Sequence, residues 1–251
     1  MSESVPPAPT ETVRVGLIQC GHVRADVAND HGDYPELFAS LLSDSPIELV
    51  TYVAEDGQLP SSPQECEAWL VSGSASSVYE PLEWIGATGN FLRQVVEADR
   101  PMVAVCFGHQ LLAQALGGKV EHSDRGWGVG IQTYDVVDQP PSWPTPDVPA
   151  TLRLLASHQD QVTELPSGAR LLARSQHCPV AAYSIGERVV AVQPHPEFTP
   201  ALTSDLVTVR REIIGSELTD RTLSRLADPT ETSALDRSVV SAWFSRVLTS
   251  P

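Results

Sequence analysis

The chain has 251 residues and sets 16 Lys plus Arg against 32 Asp plus Glu, a net charge of −16. Nucleic acid and anionic membrane surfaces are disfavoured as partners, because both are held by clustered cations and here Lys119 is the sole lysine among scattered arginines. With 41% apolar and 19% charged residues there is material for a core, no apolar stretch reaches the roughly 20 residues of a membrane span, and MSESVPPAPTET lacks a signal-peptide pattern, so a cytoplasmic protein is expected.

Residues 1–12 read as a flexible tail ahead of a single domain over 13–251. Val13 to Gln19 reads as a first strand, Tyr34 to Leu42 as a short helix and Ile47 to Ala54 as a second strand. Ala68 to Ser72 forms a third strand ending at Gly73. Residues 84–98 have helical spacing, and Arg100-Pro101 stops that helix before the apolar run Met102 to Cys106. Gly108 to Leu116 continues as a helix closed by Gly117-Gly118. Strands alternating with helices imply an α/β fold, a mostly parallel sheet with helices on both faces. Further on, 119–122, 129–137, 151–156, 170–174, 179–184 and 188–193 are short apolar segments between turns, expected as added antiparallel strands. The proline-rich stretch 140–146 reads as a loop, and 203–214 and 234–248 as peripheral C-terminal helices.

Charge is uneven along this order. No Lys or Arg lies between Arg24 and Arg93, while 12 Asp and Glu give residues 25–92 a charge of −12. Such a run reads first as a solvated face, and alternatively as a docking face for a basic partner or a cationic substrate. Cys20, Cys66, Cys106 and Cys178 are widely spaced with no C-x-x-C pair, so neither a zinc knuckle nor a disulfide framework is indicated, and no metal site is expected. Nor is there a phosphate-binding glycine loop that would call for a nucleotide cofactor.

The chemistry concentrates at three points. Val103-Ala104-Val105-Cys106-Phe107-Gly108-His109-Gln110 places a cysteine where an apolar strand turns sharply into a helix, with small residues two positions to either side. A helix N-terminus favours the thiolate there, although a cysteine in such a run is equally readable as a buried packing residue. Gln193-Pro194-His195-Pro196-Glu197 follows the strand 189–192. Flanking prolines hold the backbone extended, so His195 and Glu197 project to one side, as a base and the carboxylate that orients it would. Val71-Ser72-Gly73-Ser74 ends the third strand, where the Gly73 N–H, with that of Phe107, could form an oxyanion hole. The remaining histidines lack metal-ligand pairing, and His22, following the first strand, is the best placed of them.

Together V-C-F-G-H-Q and P-H-P-E resemble the G-x-C-x-G-x-Q elbow and His-Glu pair of class I, triad-type glutamine amidotransferases, over about Val13 to Glu197. The chain departs from that pattern at Ala104, where the family usually has glycine. The resemblance implies a flavodoxin-like sheet, Cys106 attacking the γ-carboxamide of glutamine, His195 moving the proton and Glu197 orienting it. It further implies that Gly73 and Phe107 hold the oxyanion, and that Gln110 and Ser157-His158-Gln159 contact the amino-acid end of the substrate. The leading expectation is a hydrolase that releases ammonia from glutamine through a cysteine thioester, any acceptor enzyme being a separate chain. The alternatives are a γ-glutamyl peptidase and a non-catalytic binding or regulatory module.

Overall fold

The computed structural model describes residues 12–250, so the expected N-terminal tail lies outside the described residues except for Thr12. The first half runs β1 (Val13–Gln19), α1 (Ala25–His31), α2 (Tyr34–Leu41), β2 (Ile47–Val53), β3 (Ala68–Val71), α3 (Glu83–Glu97), β4 (Met102–Val105) and α4 (Phe107–Ala115). The second half runs β5 (Lys119–His122), β6 (Gly128–Val136), β7 (Thr151–His158), β8 (Asp160–Glu164), β9 (Ala169–Arg174), β10 (Ala182–Ile185) and β11 (Val189–Val192). It ends in α5 (Pro200–Val209), α6 (Arg211–Ile214), α7 (Ser216–Leu226), α8 (Pro229–Thr232) and α9 (Arg237–Leu248).

Nine strands form one sheet in the order β2-β1-β3-β4-β11-β10-β9-β6-β7. The block β2-β1-β3-β4-β11 is parallel throughout. Its order, outward to β2 and then back across β1, is that of a flavodoxin-like sheet, in which ligands gather at the carboxyl ends of the strands. The strands β10, β9, β6 and β7 extend it in antiparallel fashion. One expectation is corrected here: β11, expected as an added antiparallel strand, pairs parallel with β4 and is antiparallel only to β10. This places His195, just beyond its end, beside Cys106, just beyond the end of β4. Another is that β5 stands outside the main sheet, paired with β8 in a two-stranded ribbon.

Strand alternation builds two cores, one on each face. Val103 and Val105 of β4 and Val190 and Val192 of β11 face one cluster, where Phe38 of α2, Leu202 and Leu206 of α5, and Trp243 and Phe244 of α9 cover them. Met102, Ala104, Val189 and Ala191 face the other, under Phe91 and Leu92 of α3 and Leu111 and Leu112 of α4. The helix α9, expected at the periphery, is therefore a core layer: Val240, Trp243, Phe244, Val247 and Leu248 are all buried. Its Trp243 Nε1–H donates to Pro141 O at 2.7 Å and fastens the proline-rich loop to it. No helix among the described residues is long and apolar enough to cross a membrane.

Candidate active site

Cys106 is the joint between β4 and α4. Its N–H donates to Val192 O of β11 at 2.9 Å, while its carbonyl already accepts from Gln110 N at 3.0 Å inside the helix. To serve both, the residue takes φ 51° and ψ −103°, a conformation that costs a non-glycine residue on the order of 1–3 kcal/mol and persists only where its surroundings enforce it. Enforcement comes from Gly108. A Cβ there would stand 2.8 Å from Val71 Cγ1 and 3.0 Å from Val71 O, so only glycine lets α4 start this close to β3. The Gly108 N–H donates to Ser72 O at 3.1 Å and ties the elbow to the loop after β3. Ala104, the departure from the family pattern, is an ordinary fully buried strand residue opposite Ala191, and the turn forms with its methyl packed in the core.

The segment 193–198 is fixed from three sides. Gln193 N donates to Ala181 O and His195 N to Leu155 O, each at 2.8 Å. Arg237 Nε of α9 donates to Pro196 O at 3.0 Å. The Phe198 ring stacks on the imidazole with centroids 4.0 Å apart. His195 Nδ1–H donates to Glu197 Oε1 at 2.7 Å, both groups buried. This leaves Nε2 for Cys106. Burial alone would pull the imidazole pKa down, but the facing Cys106 sulfur and the Glu197 carboxylate, through charge and hydrogen bonding, push it well above its ordinary value.

Gly73 lies against the same ring. A Cβ on it would sit 3.0 Å from His195 Cε1 and 2.7 Å from Tyr34 Oη. Phe107 opens α4, so its N–H is among the first-turn donors that a helix leaves without an intrahelical partner. All of Cys106, His195, Glu197, Gly73 and Phe107 are thus brought to the carboxyl ends of β3, β4 and β11.

A cleft of about 290 Å³ opens over Cys106, walled by Gln110, Ser157, His158, Gln159 and Asp160. Gln110 is buried, and its Nε2 donates to Asp160 O at 2.8 Å and to Gln193 Oε1 at 3.0 Å, which joins the elbow helix to the base segment. Burial pushes His158 down to about 3, so its ring is neutral, with Nδ1–H donating to Asp160 O at 3.1 Å. A second, much smaller cleft of about 20 Å³ is bordered by His195, Tyr34, Phe198, Leu206 and Arg210. The two share Ser74, Ala75, Ser157 and Arg210. His22 borders the second cleft but is engaged by Asp33 and Glu55, and its pKa is raised through the Asp33 hydrogen bond.

Sequence reasoning missed Tyr34 and Arg210. Tyr34 follows Asp33, whose side chain caps α2 in a box with Glu36, a signal that locates the helix start but not where the ring points. Arg210, from the junction of α5 and α6, carries no signal in its own segment. The other cysteines are buried and unpaired; burial raises Cys178 to about 12 and puts Cys20 higher still. Among the described residues no three of His, Cys, Asp and Glu converge as a metal-holding group.

A flavodoxin-like α/β sheet with a cysteine elbow facing a buried His-Glu pair defines the class of protein. The family model for class-I glutamine amidotransferases matches residues 43–210, more than half of the chain, and the chain belongs to that family. Gamma-glutamyl peptidase 4 of Arabidopsis thaliana is 31% identical over 182 residues, covering 70% of this chain and 72% of that protein. Gamma-glutamyl peptidase 3 of the same plant is 26% identical, over 84% of this chain and 86% of that protein. A GMP synthase (glutamine-hydrolyzing) of Dehalococcoides mccartyi is 33% identical over 51% of this chain but only 23% of its own length. Among solved structures, a glutamine amidotransferase of Thermotoga maritima superposes with a TM-score of 0.75 at 17% identity, covering 96% of this chain and 100% of that one.

Proposed function

We propose that the chain is a hydrolase of γ-glutamyl amides that works through a thioester on Cys106, with γ-glutamyl peptides as its substrates. The observation that carries this reading is the buried His195–Glu197 hydrogen bond of 2.7 Å set against a cysteine held at positive φ. The Cys106 thiol proton already rests on His195, which Glu197 orients and stabilises as imidazolium, and the Cys106 thiolate attacks the γ-carbonyl carbon. The N–H groups of Gly73 and Phe107 hold the oxyanion. As the C–N bond breaks, His195 passes its proton to the departing nitrogen. Water then adds to the thioester carbon, giving its proton to His195. The C–S bond breaks, thiolate and imidazolium are restored and glutamate leaves. Gln110, Ser157, His158 and Gln159 contact the amino-acid end of the substrate.

Two observations favour a secondary amide: the relatives named gamma-glutamyl peptidases match over most of their length, and a small second cleft bordered by His195 adjoins the one over Cys106. A second reading, glutamine with ammonia as the leaving group, is supported by the family and by the small volume of that second cleft. A panel of glutamine, γ-glutamylglycine and γ-glutamylglycinamide, scored for ammonia from glutamine against glycine or glycinamide release, separates them. Higher kcat/KM for γ-glutamylglycine than for glutamine is expected. Turnover of glutamine alone would establish the second reading, and turnover of none would remove both.

A further inference from the structure

We propose that Arg210 is the receptor for a carboxylate on the leaving amine, so that the preferred substrates are γ-glutamyl amino acids with a free carboxylate next to the scissile amide. This rests on the γ-glutamyl peptide reading and sharpens it to a substrate class. The departing nitrogen must face His195, which hands it a proton, so the rest of the leaving group lies where the two clefts meet, beside His195 and Arg210. Two arginines line the clefts, and they differ in what they hold. Arg24 is exposed and closed onto Asp26 at 2.7 Å. Arg210 stands at the junction of both clefts, donates from Nη1 to Ser157 Oγ at 2.8 Å, and makes no ion pair among the described residues. In a chain of net charge −16, a half-buried guanidinium aimed at a catalytic cleft without a carboxylate has its strongest partner missing. Its remaining N–H donors are suited to a carboxylate in the two-point manner that arginine allows and lysine does not.

Arg210 stands where the two clefts meet, on the side of His195. Gln110, Gln159 and Asp160 line the first cleft alone, whereas Arg210 and Ser157 line both, and only the second includes His195.

The test is kinetic, with the full-length chain. Wild type and Arg210→Met are compared on γ-glutamylglycine and γ-glutamylglycinamide, which differ only in the charge at the proposed contact. The ratio of kcat/KM for acid over amide is expected above one in the wild type and about 10- to 100-fold lower in Arg210→Met, the range for a lost charge-assisted hydrogen bond. Arg210→Lys is expected to recover part of the ratio. Because the amide is measured on the same protein, misfolding lowers both numbers and leaves the ratio intact. An unchanged ratio, with both substrates falling together, overturns the proposal and assigns Arg210 to the glutamyl end or to structure. A wild type that prefers the amide overturns it as well. A wild type that cleaves glutamine but neither peptide removes the γ-glutamyl peptide reading itself, a result distinct from either.

Discussion

At Cys106 the backbone holds φ 51° and ψ −103° between two hydrogen bonds that pull in different directions, one to Val192 and one to Gln110. That strain turns the sulfur out of the strand and toward His195. At His195, burial and charge oppose each other, and the facing Cys106 and Glu197 win, so the imidazole holds its proton above its ordinary pKa of 6.5. The sign follows from linkage: a raised folded-state pKa contributes stability that is fully present below about 6.5 and is lost as the pH rises through the raised value. Titration of the His195 ring by imidazole NMR is therefore expected to show a midpoint above 6.5 that falls in Glu197→Gln. An unmoved midpoint would remove Glu197 from the electrostatics of the site. At this scale Cys106, His195 and Glu197 were legible because local chain geometry carries them: an elbow between small residues, and a His-Pro-Glu run whose extended backbone makes i and i+2 meet. Tyr34 and Arg210 were not, because only the packing of α2 and α5 against the sheet brings them to the cleft.

Elements show the same division. The alternation of β4 and β11, Val103 and Val105 to one face and Met102 and Ala104 to the other, can be read from sequence, but their parallel pairing depends on a crossover some 80 residues long. Three helices escaped notice for compositional reasons, among them the four-residue α8, which buries nothing. The seven residues of α1 bury only Val27, and α7 buries Thr219, Thr222 and Leu226, a face too polar to announce itself. The opposite error concerns α9, whose place at the end of the chain suggested the periphery. It covers β4, and its Arg237 braces the segment carrying His195. Truncating Trp243, whose ring lies 5.2 Å from that of Trp143, removes the centre of this layer. Trp243→Ala is expected to cost about 3–5 kcal/mol in denaturant unfolding, the usual cost of deleting a large buried aromatic. A loss below about 1 kcal/mol would return α9 to the periphery.

Over the whole molecule, at least six of the 12 acidic residues in 25–92 are engaged by partners within the chain. Asp33 and Glu36 form the capping box of α2, Glu65 accepts from Ser61, and Glu67 accepts from the Arg14 N–H at 2.8 Å. Asp26 and Glu55 are paired with Arg24 and His22. Much of the −12 carried by residues 25–92 thus serves the chain's own turns and helix starts. The carboxyl ends of β3, β4 and β11 bring together an elbow cysteine, a buried histidine and a cation at the junction of two clefts. In the proposed mechanism Cys106 is the residue that becomes acylated. Intact-mass and peptide mapping of the chain, acid-quenched during turnover of γ-glutamylglycine, tests it directly. The expected result is one γ-glutamyl group per chain, mapped to Cys106 and absent from Cys106→Ala, which also fails to hydrolyse the substrate. Hydrolysis at the wild-type rate by Cys106→Ala, or an acyl group on any other residue, would contradict it.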